Sequence, residues 1–267
     1  MPYVRGGLYS LSAAGDCGQR MFETLLFEKQ EVEARPGGSI AWVTLNRPEK
    51  LNAVNLLMRD ELWTAVEWVR ADPDVGVVVL RGAGDRAFSA GADLTEFGTA
   101  PSYVEARRAR RERDLWGLML EVDKPMIAAV HGFALGAGCE MSMCCDFRIA
   151  SEDARFGLPE VDLGYIPSAG GTQLLPRTIA PGNAMLMVLT GEPVDAATAL
   201  DYGLVHRVVP SERLLAEAEA LARRLIARPA QALRSAKQAI TRGLDMCLDD
   251  AVRLEWLIGL KLQTARA

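Results

Sequence analysis

Apolar positions recur along this chain with two different periods. Residues 24–30 and 39–45 form runs of strand length, joined by Arg35-Pro36-Gly37-Gly38, and this composition predicts a hairpin. A loop over 46–55 comes next. Leu57, Glu61, Leu62, Ala65, Val66 and Val69 then fall at helical spacing, and Asp72-Pro73-Asp74 ends that helix before the continuous apolar run 75–80. A run without polar alternation is expected where a strand is buried on both faces. The cycle repeats as a loop over 82–91, a helix over 107–120 and a strand over 126–130, and a glycine-rich segment opens the next turn. From Ser211, expected to cap a helix, the pattern becomes helical over 214–227, 230–241 and 248–261, with Pro229 at one joint. Strands alternating with helices predict an α/β chain with a sheet covered on both sides. The boundary with the helical end falls near 205–210. The expected organisation is a tail at 1–20, a core at 21–207 and a helical region at 208–267.

Composition narrows the chemistry. Of 267 residues 49% are hydrophobic and 24% charged, which excludes disorder, and 30 Lys+Arg against 35 Asp+Glu leave a net charge of -5 that disfavours a nucleic-acid partner. The only histidines are His131 and His206, and the cysteines at 17, 139, 144, 145 and 247 lack metal-finger spacing, so no metal is expected. An odd cysteine count without a secretory signal fits a reducing compartment. The most hydrophobic stretch, 126–145, is interrupted by His131, several glycines and Glu140. A soluble, cytoplasmic protein with no membrane partner is therefore expected.

Two small-residue segments, AFSAGADL (87–94) and HGFALGAGCE (131–140), each follow an expected strand and open a helix. Glycine lets the backbone approach a ligand, and the first amides of a helix are unpaired, so two such turns can supply donors to one anionic oxygen. Either turn alone is more simply explained by tight-turn geometry. The second lacks GxGxxG spacing and a following Lys-Ser/Thr, which argues against nucleotide phosphate. Asp93 alone reads as a cap. Glu140 and Glu160 lie in windows (136–144 and 156–164) without Lys or Arg. A carboxyl without a counter-charge in apolar surroundings is raised toward neutrality, which suits proton transfer; the plain alternative is that each caps backbone amides. Ser89 and Ser168 lack a histidine base, and His131 reads as a satisfied core residue. The Arg107, Arg108, Arg110, Arg111 and Arg113 run reads as a solvated face or subunit contact, and Trp116 reads as core.

Taken together, AFSAGADL, KPMIAAVHGFALGAGCEMSMCCDFRIAS and FGLPEVDLGYIPSAGGTQLLPR resemble the enoyl-CoA hydratase/isomerase (crotonase) superfamily, supported by NRPEKLNAVN and LTGEPVDAATALDYGLVHRVVP. The resemblance covers about residues 24–238. It implies an α/β spiral of ββα repeats with a C-terminal helical trimerisation region, assembling as a homotrimer or a dimer of trimers. It also implies reversible addition of water to the 2,3-double bond of a 2-enoyl-CoA in fatty-acid or related acyl-CoA metabolism. No cofactor is implied beyond the coenzyme A carried by the substrate.

By position, the resemblance makes the backbone amides of Ala92 and Ala137 an oxyanion hole for the thioester oxygen. Glu140 and Glu160 become the catalytic pair, with Glu140 favoured for water and Glu160 for the proton to C2. Lys50, Leu51 and Ala53 would border the CoA; Ala90, Asp93 and Leu94 would flank the thioester arm; and Trp116, Phe133 and Leu163 would line the acyl pocket. Gly136 and Pro159 would adjoin the same substrate site. Retention of both glutamates favours reversible hydration; the related alternative is a double-bond isomerase, or a hydratase of a specialised pathway acting on a branched, cyclic or aromatic acyl-CoA. A reading of another class is an inactive scaffold or RNA-binding protein of this fold, supported by the arginine run alone. The chain differs from the family's usual pattern at Ala137, Ser168 and Asp162. It also stops at Ala267, before a basic, aromatic-rich tail that in relatives helps cover the CoA adenine.

Overall fold

In a computed structural model of the chain, which describes residues 22–96 and 113–264, the expected hairpin is present. Strands β1 (Leu25–Glu31) and β2 (Ser39–Leu45) pair antiparallel from Leu25 opposite Leu45 to Glu31 opposite Ser39. The expected tail at 1–20 and the residues 107–112 of the arginine-rich segment lie outside the described residues. Helix α1 (Leu56–Ala71) begins where Asn55 accepts a hydrogen bond from the Met58 amide at 2.9 Å, and buries Met58, Leu62, Ala65, Val66 and Val69. That stripe matches the helical spacing in the sequence.

The strands that follow come in pairs, and the two members of each pair enter different sheets. β3 (Val75–Gly82), β5 (Met126–Val130) and β7 (Phe147–Ser151) lie side by side and parallel in the larger sheet, whose order is β1-β2-β3-β5-β7 with a last strand, β10 (Arg207–Val209), beside β7. β4 (Ala87–Ser89), β6 (Phe133–Leu135) and β8 (Arg155–Gly157) add in the same order to a smaller sheet, closed by β9 (Val194–Asp195). Each turn of chain advances both sheets by one strand, which builds a spiral. Short helices occupy the turns: α2 (Leu115–Leu120), α3 (Ala137–Met143), α4 (Gly171–Thr178), α5 (Pro181–Thr190) and α6 (Ala196–Asp201). The helix expected over 107–120 is interrupted within its described part. Arg113 and Asp114 are not helical, and the Asp114 side chain caps α2 by accepting from the Gly117 amide at 3.1 Å.

Alternate residues of the large sheet serve two cores. Val78, Leu80, Met126, Ala128 and Val130 pack into the main core with α1, α2 and α3. Val77, Val79, Ile127, Ala129 and Ile149 face the other way, onto Leu214, Ala218, Ala222 and Ile226 of α7 (Leu214–Ile226). The continuous apolar runs read in the sequence are thus strands buried on both faces. β10 (Arg207–Val209) pairs with β7 and forms the edge of this sheet. Ser211 does not cap α7; it opens a 3-10 turn (Ser211–Arg213), and its hydroxyl donates to Asp153 Oδ1 at 2.8 Å. The chain then forms two helices, α8 (Ala230–Gly243) and α9 (Leu248–Thr264), which pack on one another and bury no residue of their own.

Candidate active site

Glu140 sits in the first turn of α3, 2% exposed. Its Oε1 accepts hydrogen bonds from the amides of Ala169 (2.9 Å) and Gly171 (2.7 Å), so the capping role weighed from the sequence is real. Gly171 is glycine for a steric reason: a Cβ there would stand 2.8 Å from that oxygen. The two amides fix the carboxylate.

Glu160 lies in a 3-10 turn (Pro159–Leu163) that starts at Pro159 and ends in left-handed Gly164. Its Oε2 is buried and has no hydrogen-bond partner. Burial pushes this carboxyl up to about 7, partly opposed by its own backbone amide and reinforced by the Glu140 charge. Gly136 connects the two glutamates. Its φ of 48° and ψ of -124° suit only glycine, and a Cβ would lie 3.0 Å from Glu160 Oε1.

The two small-residue turns come together beside these carboxyl groups. A Cβ on Gly91 would lie 3.4 Å from the Ala137 nitrogen, and one on Gly136 would lie 3.9 Å from the Gly91 Cα. Gly138 packs directly on the Ser89 backbone. Among the described residues, no acceptor meets the amide of Ala92 or of Ala137. Ala137 is the first residue of α3, where an N–H has no intrahelical partner, and Ala92 is exposed between two bonded neighbours. Two amides without an acceptor among the described residues therefore lie in adjoining turns, with a fixed carboxylate and a raised carboxyl close by.

The loop over 47–54 joins the same assembly. Ala90 N donates to Leu51 O (2.9 Å), Val54 N to Gly91 O (2.8 Å) and Asp93 N to Val54 O (3.0 Å). This sets Leu51 and Ala53 against Ala90 and Asp93, while Lys50 ends a 3-10 turn (Pro48–Lys50) exposed to solvent. Asp93 accepts from Thr95 and from Arg47 Nη1 (3.0 Å), and these bonds hold its carboxyl below the usual range against a smaller opposing effect of burial. Leu94, Phe133 and Leu163 are 56%, 42% and 50% exposed, a large apolar surface for single residues, whereas Trp116 is half-buried against the main core. Arg47, Asn52 and Ser89 shape this loop and escaped the sequence reading as site residues. His131, expected to be satisfied, has a buried Nε2 without a partner, and burial lowers its pKa. Cys139, Cys144 and Cys145 are buried free thiols raised by burial, Cys139 and Cys145 to about 12. No group of three or more His, Cys, Asp or Glu able to hold a metal occurs among the described residues.

Residues 35–262 match the family model described as Enoyl-CoA hydratase/isomerase. The chain belongs to this family. A probable enoyl-CoA hydratase of Rhizobium meliloti (strain 1021) is 44% identical over 234 residues, which cover 88% of this chain and 87% of that protein. A crotonyl-CoA hydratase of Syntrophomonas wolfei is 40% identical, with the same coverage of 88% and 87%. The crystal structure of an enoyl-CoA hydratase from Bacillus anthracis superposes with a TM-score of 0.81 at 36% identity, covering 88% of this chain and 89% of that one. The spiral of paired strands described above is thus the fold of the enoyl-CoA hydratase/isomerase family. No described helix is long and apolar enough to cross a membrane.

Proposed function

We propose that this member of the enoyl-CoA hydratase/isomerase family is an enoyl-CoA hydratase, adding water reversibly across the 2,3-double bond of a 2-enoyl-CoA. The observation that carries the reading is the meeting of two unpartnered amides, Ala92 and Ala137, with two glutamates whose surroundings differ. The thioester oxygen of the substrate accepts from both amides. Water held by Glu140 gives a proton to that carboxylate as its oxygen bonds to C3. The π electrons move toward the thioester oxygen, where the enolate charge is stabilised, and C2 takes a proton from Glu160. Both transfers fit one concerted event. The carboxyl at about 7 is a proton donor matched to neutral pH. One amide donor of this kind is worth about 10²–10³ in rate, and a placed acid or base about 10²–10⁴. These groups cover the needs of the reaction, so no metal or redox cofactor enters the proposal.

Lys50, Leu51 and Ala53 border the CoA in this reading, Ala90, Asp93 and Leu94 flank the thioester arm, and Phe133 and Leu163 offer exposed apolar surface to the acyl chain. Gly136 and Pro159 set the positions of the glutamates, and Trp116 backs the pocket from the core. A homotrimer is the proposed assembly, supported by the exposed apolar residues of α8 and α9. A reducing, cytoplasmic setting is supported by three buried free thiols.

The test is loss of the conjugated-thioester absorbance of crotonyl-CoA. Wild type is expected to turn over, while Glu140→Gln and Glu160→Gln each lose about 10²-fold or more in kcat. A wild type inert on several chain lengths overturns the reading. If only Glu160→Gln abolishes turnover, the enzyme is a double-bond isomerase.

A further inference from the structure

We infer that Asn52 is a positioning residue for this reaction, its buried carboxamide fixing the segment 89–93 in the geometry that leaves the Ala92 amide free and aimed at the thioester oxygen. The inference rests on the hydratase reading above. Among the described residues, Leu51 and Asn52 are the only non-glycine residues with positive φ, at 51° and 54°. L-residues adopt that region at a cost and keep it only where the surroundings enforce it, which happens preferentially at functional sites. Asparagine tolerates it best.

The enforcement comes from the Asn52 side chain. It is 1% exposed; Nδ2 donates to Ala83 O (2.9 Å) and Ala87 O (2.8 Å), and Oδ1 accepts from Arg47 N (2.9 Å). Both amide hydrogens are therefore used on carbonyls of the β3–β4 connection and the start of β4. No other side chain of this size offers two donors and an acceptor from one planar group. The left-handed turn it holds directs four backbone groups at the segment 89–93. Leu51 O accepts from Ala90 N (2.9 Å), Asn52 O from Ser89 Oγ (2.8 Å) and Val54 O from Asp93 N (3.0 Å), while Val54 N donates to Gly91 O (2.8 Å). Arg47 Nη1 closes the clasp between Ala53 O (2.7 Å) and Asp93 Oδ2 (3.0 Å). Ser89, Ala90, Gly91 and Asp93 are all engaged, and Ala92 between them is not. The same ladder that consumes its neighbours' polar groups therefore fixes the Ala92 N–H and leaves it free. An oxyanion donor must be held to within about 0.5 Å to act, and these bonds hold the segment from the side of the 47–54 loop.

A purely structural clasp predicts lower stability with normal chemistry in whatever protein folds; a positioning role predicts altered carbonyl polarisation. The experiment uses the full chain with Asn52→Gly, which keeps the left-handed backbone and deletes the carboxamide, and Ser89→Ala, which deletes one hydroxyl of the clasp. Readouts are kcat and KM on crotonyl-CoA, and the absorption band of a bound aryl-enoyl-CoA, whose red shift reports pull on its thioester oxygen. Folded Asn52→Gly is expected to lose about 10- to 100-fold in kcat with KM changed less than about threefold, and to bind the aryl-enoyl-CoA with most of the red shift gone. Ser89→Ala should lose about three- to tenfold with a partial loss of shift, and it decides the question if Asn52→Gly does not fold. Unchanged kcat and an unchanged band in the folded variant overturn the inference. A wild type with neither turnover nor red shift overturns the hydratase reading instead.

Discussion

Glu140 and Glu160 show how one residue type is given two chemistries by its neighbours. Oε1 of Glu140 receives two backbone amides, whereas Oε2 of Glu160 receives nothing and burial carries its carboxyl from an ordinary 4.5 to about 7. Between those values the folded chain holds a proton that the unfolded chain has released. Stability from this group is therefore full below about 4.5 and falls as pH rises through about 7, since the native state binds the extra proton. Glu160→Gln cannot ionise and escapes that loss. Its Tm relative to wild type should climb between about pH 5 and pH 8 and then level off, and a difference flat across that range refutes the raised carboxyl. For wild type, kcat/KM for hydration should decline on the alkaline side with a midpoint near 7, because the free enzyme loses its donor there. Gly136 belongs to the same argument. Gly136→Ala forces a side chain into a φ of 48° with its Cβ 3.0 Å from Glu160 Oε1, so kcat should fall about tenfold or more and the protein should lose about 1–2 kcal/mol in chemical denaturation. A variant with wild-type kcat removes Gly136 from the site.

Among the elements, α3 carries Glu140 at one end and depends on Arg148 at the other. Arg148 is 5% exposed and forms no ion pair with a carboxylate among the described residues; Nε donates to Leu204 O (2.6 Å), and Nη1 to Cys145 O (2.6 Å) and Ser142 O (3.3 Å). The guanidinium thus satisfies carbonyls at the C-terminal end of the helix and ties it to the chain before β10. Lysine keeps the charge but cannot reproduce the fork, so Arg148→Lys should cost about 2 kcal/mol in urea denaturation. An unaltered midpoint contradicts this anchoring role. Elements differ in how openly the sequence announces them. β2, β3 and β5 show because burial on both faces leaves largely apolar runs, and α1 because its single buried stripe is long enough for a helical period to appear. β4, β6, β8 and β9 are two or three residues long, too short for any period, and exist because each turn of the spiral supplies a neighbour to pair with. The glutamates were legible because no basic residue stood near them in sequence. Asn52 was not, because its partners Ala83 and Ala87 lie 31 and 35 residues away, and until the chain folds an isolated Asn in a loop looks solvated.

At the scale of the whole molecule, the described chain assembles the two amides and both glutamates from its own residues, yet its C-terminal end is unfinished as a folded surface. α8 and α9 bury no side chain; Ile240, Leu248, Val252, Trp256 and Leu257 are exposed on them, and Leu244 and Met246 are exposed in the turn that joins them. Their attachments to the body are polar: Lys237 Nζ reaches Lys124 O (2.9 Å) and Asp146 Oδ2 (2.7 Å), Arg234 reaches Val75 O (3.4 Å), and Arg35 holds Ile226 O just before α8. Ion pairs and carbonyl contacts orient a helix pair but do not withdraw apolar area from water, and exposed apolar residues in this number suit the proposed contact between copies. Copies of the same chain satisfy it in the proposed trimer, and the polar tethers then fix the angle at which the helices are presented. Sedimentation at micromolar concentration should give a trimer for wild type. The double variant Leu244→Glu with Trp256→Glu should sediment as single chains with its helix content unchanged in circular dichroism, because neither side chain contributes to a core. A wild type that sediments as a single chain, or a double variant that remains trimeric, would show that α8 and α9 are not the surface through which the copies meet.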